Sequence, residues 1–276
     1  MLCITFDNFG WAAGEALPWL CPSDVPADEW ANYNRIGLEV GHPRLLKLLH
    51  DLDIRCTYFA EGYAAILHPE EMKRWHRAGH EIAVHGWKHE MWSGIASREE
   101  ENSLVQLAVE SLHTLLGEAP VGFRPPGLAI NSWTDDVLAA NGIRYVSQSL
   151  PAAGVSGGRG ASSPGERPHV VTRLDLLPTD PSLIDGAVIH PRFGGVFGAL
   201  DAVGAYERLY DMAVEHESTC PAEPWVLVVH PFTSGNRAWS GFEYFMRRLA
   251  NEFGASRFYR ARDAASKKVR AIRDLP

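Results

Sequence analysis

The chain has 276 residues, of which 46% are hydrophobic and 22% are charged, and its formal net charge is −8. This composition is typical of a globular protein, and the excess of acidic residues argues against nucleic acid as a partner. No apolar run approaches the ~18 residues of a membrane-spanning helix, and no signal-peptide pattern opens the sequence. We therefore expect one cytoplasmic domain over residues 1–276, with reduced cysteines and no membrane partner.

Short apolar runs alternate with amphipathic segments along the chain, which predicts βαβ units and a parallel sheet in an α/β fold. Two long connections interrupt the pattern, at residues 9–42 and 151–168, and their Pro, Gly and Ser content predicts loops. The predicted strands are residues 2–6, 54–59, 82–84, 121–123, 143–147, 170–177, 187–190 and 225–229. The predicted helices are residues 43–52, 69–78, 98–116, 133–141 and 202–216.

Two histidines, His85 and His89, follow the predicted strand 82–84. If the chain turns into a helix there, the spacing of four places both imidazoles on one face. Neutral imidazole is a good zinc ligand, so the pair is a candidate for two of the ligands of a metal site. The alternative is that they are two surface histidines among the 12 in the chain.

Other polar residues also stand where predicted strands end. Asp7 and Asn8 follow the first strand, Arg124 follows the strand before a double proline, and His230 follows the strongest strand. The carboxyl edge of a parallel sheet is where α/β folds place their sites. Arg124 could orient a carboxylate by a two-pronged contact. Each residue alone also has a structural interpretation, as a turn residue, a surface arginine or a packed histidine.

Four strand-end motifs thus occur in a fixed order, and together they resemble the polysaccharide deacetylase family (NodB homology domain, carbohydrate esterase family 4). The similarity favours the branch of cytosolic peptidoglycan-deacetylase-like and allantoinase-like proteins. It implies a distorted (β/α) barrel of about seven strands and hydrolysis of an N-acyl or other C–N amide bond. The motifs are Thr5-Phe-Asp-Asn8, His85-x-x-x-His89, Arg124-Pro-Pro126 and Val228-Val-His-Pro231.

The resemblance also implies roles for individual residues. His85 and His89 match the metal-binding pair, and Asp7 matches the general base. Arg124 matches the arginine that orients the base, and His230 matches the general acid. The ion implied is divalent, with zinc as the first expectation and cobalt or nickel as alternatives.

Three departures from the family pattern bear on these roles. Asn8 stands where a second aspartate usually binds the metal, and an amide oxygen carries no charge. Asp7 could instead be the third ligand, and the base would then be a metal-bound water or another acid such as Glu15. A later aspartate, expected to steady Arg124, has no match at residues 146–149. Gly127 stands where an aromatic residue is common, which should open the pocket.

We expect the substrate to be a small intracellular N-acyl compound, such as an acetylated amino sugar. Asn8, Trp87, Pro126 and Trp133 are the expected substrate contacts, and Trp11 and Trp92 are further aromatic candidates. One alternative is a metal-independent hydrolase of cyclic amides or ureides, which Asn8 favours and the histidine pair disfavours. Another is a non-catalytic binding protein on the same fold. A homodimer is plausible at this size.

Overall fold

The computed structural model describes residues 1–10, 35–149, 174–189 and 201–273. Seven parallel strands form one sheet in the order β6-β5-β4-β3-β2-β1-β7, which curls into a nearly closed barrel and confirms the predicted fold class. The strands are β1 (Leu2–Asp7), β2 (Thr57–Ala60), β3 (Glu81–Val84), β4 (Gly122–Phe123), β5 (Tyr145–Gln148), β6 (Asp175–Pro178) and β7 (Trp225–Val229).

Helices surround the barrel, and their ends follow local signals in the sequence. They are α1 (His42–Asp51), α2 (Ala64–Leu67), α3 (Pro69–Arg77), α4 (Arg98–Leu116), α5 (Thr134–Ala140), α6 (Asp185–Ile189), α7 (Ala202–Thr219), α8 (Trp239–Phe253) and α9 (Ala261–Arg273). Helix α4 starts where the Ser97 side chain accepts a hydrogen bond from the Glu100 N–H, and it ends at Gly117, whose φ of 73° favours glycine. No helix in the described ranges has the length and apolar character needed to cross a membrane.

Two predictions about these elements were wrong or incomplete. Residues 187–190 were expected to form a strand, but residues 185–189 form helix α6, because a short apolar run does not distinguish a strand from a buried helix turn. Helix α8 was not predicted, although it buries Phe242, Phe245 and Leu249 on one face. The predicted loop 151–168 and most of the connection 9–42 lie outside the described residues.

Side chains alternate between the barrel interior and the surrounding helices, as expected for strands with a period of two. Along β1, Cys3 belongs to the interior cluster, whereas Ile4 and Phe6 pack against the helices. Along β3, Ala83 is interior and Val84 faces the helices. The same alternation therefore places the Asp7 side chain in the interior at the end of β1. It also predicts that the side chain of His85, the residue after β3, points into the barrel.

The register aligns the carboxyl ends of the strands at one edge of the barrel. Phe6 of β1 pairs with Val229 of β7, so the next positions in register are Asp7 and His230. Ala60 of β2 pairs with Val84 of β3. Residues far apart in sequence therefore meet at this edge, which is where parallel α/β folds bind their ligands.

Candidate active site

Arg124 and Asp7 form a buried ion pair at the carboxyl edge. The Arg124 Nη1 donates to Asp7 Oδ1 at 2.6 Å and to Thr5 Oγ1 at 2.9 Å. The guanidinium carbon lies 4.0 Å from the centre of the Phe59 ring. Arg124 has no exposed surface, so its charge depends on this carboxylate for compensation. The expected contact between Arg124 and a carboxylate is present, but only the Nη1 atom of Arg124 bonds to Asp7. The Oδ2 atom of Asp7 is therefore left for other partners.

The other side of the Arg124 guanidinium, Nε and Nη2, binds the Ser147 hydroxyl group, at a position where the family resemblance implies an aspartate. Nε and Nη2 of Arg124 donate to Ser147 Oγ at 3.2 and 2.9 Å. The Ser147 hydroxyl also bonds to Thr179 Oγ1 at 2.7 Å. A neutral network therefore steadies this side of the guanidinium, and Asp7 is its charged partner.

His230 carries its own buried carboxylate, Asp185, which the sequence analysis did not identify. The His230 Nδ1–H donates to Asp185 Oδ1 at 2.6 Å, and the His230 backbone N–H donates to Oδ2 at 2.8 Å. The Ser234 hydroxyl donates to Asp185 as well, and Tyr206 bonds to Ser234 at 2.5 Å. Asp185 thus steadies His230, and it orients the Nε2 atom away from this network.

The environment of His230 favours its protonated form. Burial by itself would lower the pKa, but the charge of Asp185 and the hydrogen bond to it outweigh burial, and Asp7 adds in the same direction. The pKa of His230 is therefore raised above its ordinary value. An imidazolium near neutral pH can donate a proton from Nε2, which is the property of a general acid.

His85 and His89 meet in a turn and not on a helix, so the predicted helical arrangement was wrong. Gly86 and His89 have φ values of 74° and 68°, and Glu90 accepts hydrogen bonds from the N–H groups of Trp87 and Lys88. The two rings are nevertheless adjacent, with centres 4.8 Å apart. The chain brings the imidazoles together by folding back at the end of β3.

Hydrogen bonds and burial leave both imidazoles suited to bind a cation. The Nδ1–H of His85 donates to the Arg124 carbonyl at 2.9 Å, so its lone pair is on Nε2, which lies 3.8 Å from Asp7 Oδ2. Burial lowers the pKa of His85, with a partial offset from Asp7. Burial also lowers the pKa of His89 well below its ordinary value, and neighbouring His85 lowers it further. Neutral imidazole is the form that binds metal.

The side chains at this edge are of the chemical types that bind a divalent cation. His89 Nδ1 and Asn8 Oδ1 are buried and have no hydrogen-bond partner among the described residues, which is what an ion-binding edge leaves in its absence. Within the described part of the chain, however, no three His, Cys, Asp or Glu side chains converge at ligand spacing. His85, His89 and Asp7 are thus the residues that would hold an ion, with Asn8 as a neutral donor.

The four expected substrate contacts lie in different settings. Asn8 is buried and its carbonyl accepts the Tyr58 hydroxyl at 3.0 Å. Pro126 is buried beside the turn, since a Cβ on Gly86 would lie 3.3 Å from Pro126 Cγ. Trp87 and Trp133 are half-buried and pack against the core.

Two aromatic candidates make contacts within the protein, Trp133 through a hydrogen bond and Trp92 through its ring contact with Phe123. The Trp133 indole N–H donates to Glu101 of α4 at 3.0 Å. Trp92 has no exposed surface, so it cannot stack on a substrate. Trp11 and Glu15 lie outside the described residues.

Three residues at this edge were missed by the sequence analysis, namely Ser147, Asp185 and Glu61. Glu61 follows β2 directly and is fully buried. It carries the same signal that identified Asp7, a charged residue at the end of a buried strand. Asp185 gave no such signal, because it precedes a segment that was predicted as a strand.

The chain is similar to known deacetylases over part of its length. The family model described as "Polysaccharide deacetylase" matches residues 32–146. A peptidoglycan deacetylase from Helicobacter pylori is 36% identical over 107 residues, which are 39% of this chain and 36% of that protein. A peptidoglycan deacetylase-like protein from Gibberella zeae is 30% identical over 148 residues, which are 52% and 42% of the two chains. The chain therefore spans less than half the length of these curated relatives.

Solved structures match the fold over nearly the whole chain. A candidate polysaccharide deacetylase from Mycobacterium smegmatis gives a TM-score of 0.74 at 26% identity, over 100% of this chain and 91% of that one. An allantoinase structure gives a TM-score of 0.71 at 20% identity, over 96% and 89% of the two chains. At that identity the allantoinase shows a shared fold only.

Proposed function

Because this chain is a member of the polysaccharide deacetylase family, we propose that it hydrolyses the C–N bond of an N-acyl substrate and releases an acyl group, acetyl in the first place. The observation that carries the proposal is the pairing at one barrel edge. Asp7 with Arg124 and His230 with Asp185 occupy adjacent strand ends, and His85 and His89 lie beside them.

The two pairs match the two proton transfers that amide hydrolysis requires. Asp7 Oδ2, the oxygen that Arg124 does not bind, accepts a proton from the attacking water. The water oxygen bonds to the carbonyl carbon, and the C–N bond breaks as His230 Nε2 donates a proton to the leaving nitrogen. The products are a carboxylic acid and an amine. Arg124 fixes Asp7 in place, and Asp185 keeps His230 protonated.

A divalent cation, zinc in the first place, would be held by His85 and His89 with Asp7 as the nearest carboxylate, and it would acidify water and stabilise negative charge on the carbonyl oxygen. The lowered pKa values of both histidines support this role. We further propose a small intracellular substrate, such as an N-acetylated amino sugar or an acylated biosynthetic intermediate, with Asn8, Trp87 and Pro126 nearest to it.

A metal-independent hydrolase of cyclic amides or ureides is the second candidate. Two observations favour it: Asn8 carries no charge, and no three described acidic, cysteine or histidine side chains converge on an ion. The buried, unpartnered Nδ1 of His89 favours the metal-dependent reaction. A binding protein without activity would keep ligand affinity and release no product.

Metal content and acyl release, measured on the same preparations, test the proposal. We expect wild-type chain to contain about one divalent ion and to release acetate from at least one N-acetylated sugar or amine. His89→Ala should lose both properties. His113→Ala, which changes an exposed histidine on α4, should keep both. Acetate release by His89→Ala at the wild-type rate would contradict the proposed role of the pair.

A further inference from the structure

Glu61 lies beside His85 at the mouth of the barrel, and the reaction proposed above does not use it. The His85 N–H donates to the Ala60 carbonyl at 2.8 Å, and the Gly62 N–H donates to the Gly86 carbonyl at 3.0 Å. The backbone around Glu61 therefore runs alongside the start of the histidine turn. Because Ala60 pairs with Val84, Glu61 and His85 are the next positions in register.

The side chain of Glu61 extends toward the end of β1. Phe59 belongs to the barrel interior and Ala60 to the outer core, so the alternation returns Glu61 to the interior side. Its Oε2 atom accepts a hydrogen bond from the Phe9 N–H at 2.8 Å. The carboxylate thus bridges from the β2 end, beside His85, to the chain just beyond Asn8.

Two oxygen atoms at this place lack a donor. Glu61 Oε1 and Asn8 Oδ1 are both buried and have no hydrogen-bond partner in the described part of the chain. A buried carboxylate oxygen without a partner is costly. When Glu61 is ionised both atoms are acceptors, and each then needs a cation or an N–H or O–H donor as its partner.

Two acidic groups act on the Glu61 carboxyl group in addition to burial. Burial raises the pKa of Glu61 to about 8; the Phe9 N–H opposes this, and the nearby acids Asp7 and Glu90 raise the pKa further. A cation bound beside this carboxyl group would oppose these effects and stabilise its ionised form.

We propose that Glu61 supplies the anionic oxygen ligand that Asn8 cannot, so that Glu61, His85 and His89 together hold one divalent cation of the zinc type. The inference rests on the proposed function because it concerns the same site. Two imidazoles and one glutamate are an established ligand combination for zinc. It leaves Asp7, bound by Arg124, to act as the base.

Ion binding requires a movement of the Glu61 side chain. Since no three described side chains converge as placed, the carboxylate must turn from the Phe9 N–H toward the two imidazoles. A glutamate has three rotatable side-chain bonds, and this movement gives up the hydrogen bond from the Phe9 N–H. A competing role, in which Glu61 only anchors Phe9, predicts no dependence of metal affinity on its charge.

Calorimetric titration of the metal-free full chain with zinc, and with cobalt to record its absorption spectrum, tests the proposal. Glu61→Gln keeps an acceptor for Phe9 but removes the charge. It should weaken zinc binding by at least about 100-fold, since loss of outer partners alone costs about 10- to 100-fold. The matched control is Glu101→Gln, another fully buried glutamate with an unpartnered oxygen, on α4. It should bind zinc as the wild type does.

The double variant Asn8→Asp with Glu61→Gln should recover the affinity, because it restores one carboxylate. Equal zinc affinity of Glu61→Gln and wild type would overturn the proposal and leave the deacetylase function standing. If Glu61→Gln does not fold, the zinc affinity of the single variant Asn8→Asp tests the proposal instead. It should change affinity by less than about threefold, and a 100-fold gain would show that no carboxylate fills the site.

The outcomes also separate this proposal from the proposed function. A wild-type chain that binds zinc through Glu61 but releases no acyl group from any substrate would overturn the function and keep the site. A wild-type chain that binds no zinc would overturn the site and favour the metal-independent hydrolase.

Discussion

Two buried glutamates in the barrel, Glu81 and Glu61, have opposite surroundings. Glu81 opens β3, at the amino end of the barrel. It accepts hydrogen bonds from the Thr57 hydroxyl at 2.6 Å, the Tyr145 hydroxyl at 3.0 Å and the Arg262 N–H at 3.1 Å. Glu61 follows β2 at the carboxyl end, where the Phe9 N–H donates to one of its oxygens and the other oxygen has no partner among the described residues.

The comparison separates a structural acid from a candidate functional one. Burial raises the pKa of both carboxyl groups, but hydrogen bonds from Thr57, Arg262 and Tyr145 oppose the rise at Glu81. At the amino end of the barrel, groups of the protein itself donate hydrogen bonds to the buried carboxylate of Glu81. At the carboxyl end, polar atoms of Asn8, Glu61 and His89 are buried without a hydrogen-bond partner among the described residues, so a bound ion or ligand could contact them. We therefore expect substitutions at the amino end to affect mainly stability and substitutions at the carboxyl end to affect mainly function.

The largest effect that we expect at the carboxyl end is on turnover. His230→Gln removes the proton donor for the leaving nitrogen, so kcat should fall about 10³-fold. The loss should be smaller for an acetanilide with an electron-withdrawing ring, whose leaving amine needs less protonation. Steady-state assays of both substrates measure this difference, with His113→Gln as control. An equal loss on both substrates would contradict the role of His230 as acid.

At the amino end we expect an effect on stability and little effect on turnover. Glu81→Ala leaves two buried hydroxyl donors and one half-buried N–H without this acceptor, so the free energy of unfolding should fall by about 3 kcal/mol. Denaturant unfolding measures the loss, and kcat of the folded fraction should stay within about twofold of wild type. Glu110→Ala, an exposed change on α4, is the control. If Glu81→Ala abolished turnover while the protein kept its stability, our assignment of stability to the amino end and function to the carboxyl end would be wrong.

A smaller change concerns pH. The charge and hydrogen bond of Asp185 raise the pKa of His230 against the effect of burial, and His230 is active as an acid only while protonated. Activity is therefore lost as pH rises through the His230 pKa. Asp185→Asn lowers that pKa, so the alkaline limb of kcat should move down by about one pH unit or more.

A pH–rate profile of Asp185→Asn and wild type checks the direction of this shift. Ser234→Ala, which keeps the Asp185 charge, is the matched control and should move the limb much less. A shift of the Asp185→Asn limb to higher pH would show that another group controls it.

Several parts of the carboxyl edge were predictable because they follow directly from strand ends. In the sequence, Asp7, Arg124 and His230 each follow a short apolar run, and parallel strands bring such positions to one edge. The Asp7–Arg124 contact is present as expected. The roles of these residues in catalysis remain predictions for the experiments above.

Other parts could not be predicted, because they depend on how distant segments pack. Asp185 meets His230 across 45 residues, through helix α6, whose short apolar sequence favours a strand equally well. Ser147 reaches Arg124 only because β5 lies beside β4 in the sheet. The histidine pair meets through a turn with two positive φ values, and its spacing alone pointed to a helix.

The sequence by itself determined the alternation of strands and helices and the polar residues at the strand ends, because period-two burial and strand-end chemistry are local properties. The tertiary structure alone decided which polar atoms find partners. Asp185 satisfies His230 and three donors satisfy Glu81, whereas Glu61 Oε1 and Asn8 Oδ1 are buried without any described donor. Hydrogen bonding and desolvation depend on all neighbours in space, and these neighbours come from segments far apart in the chain.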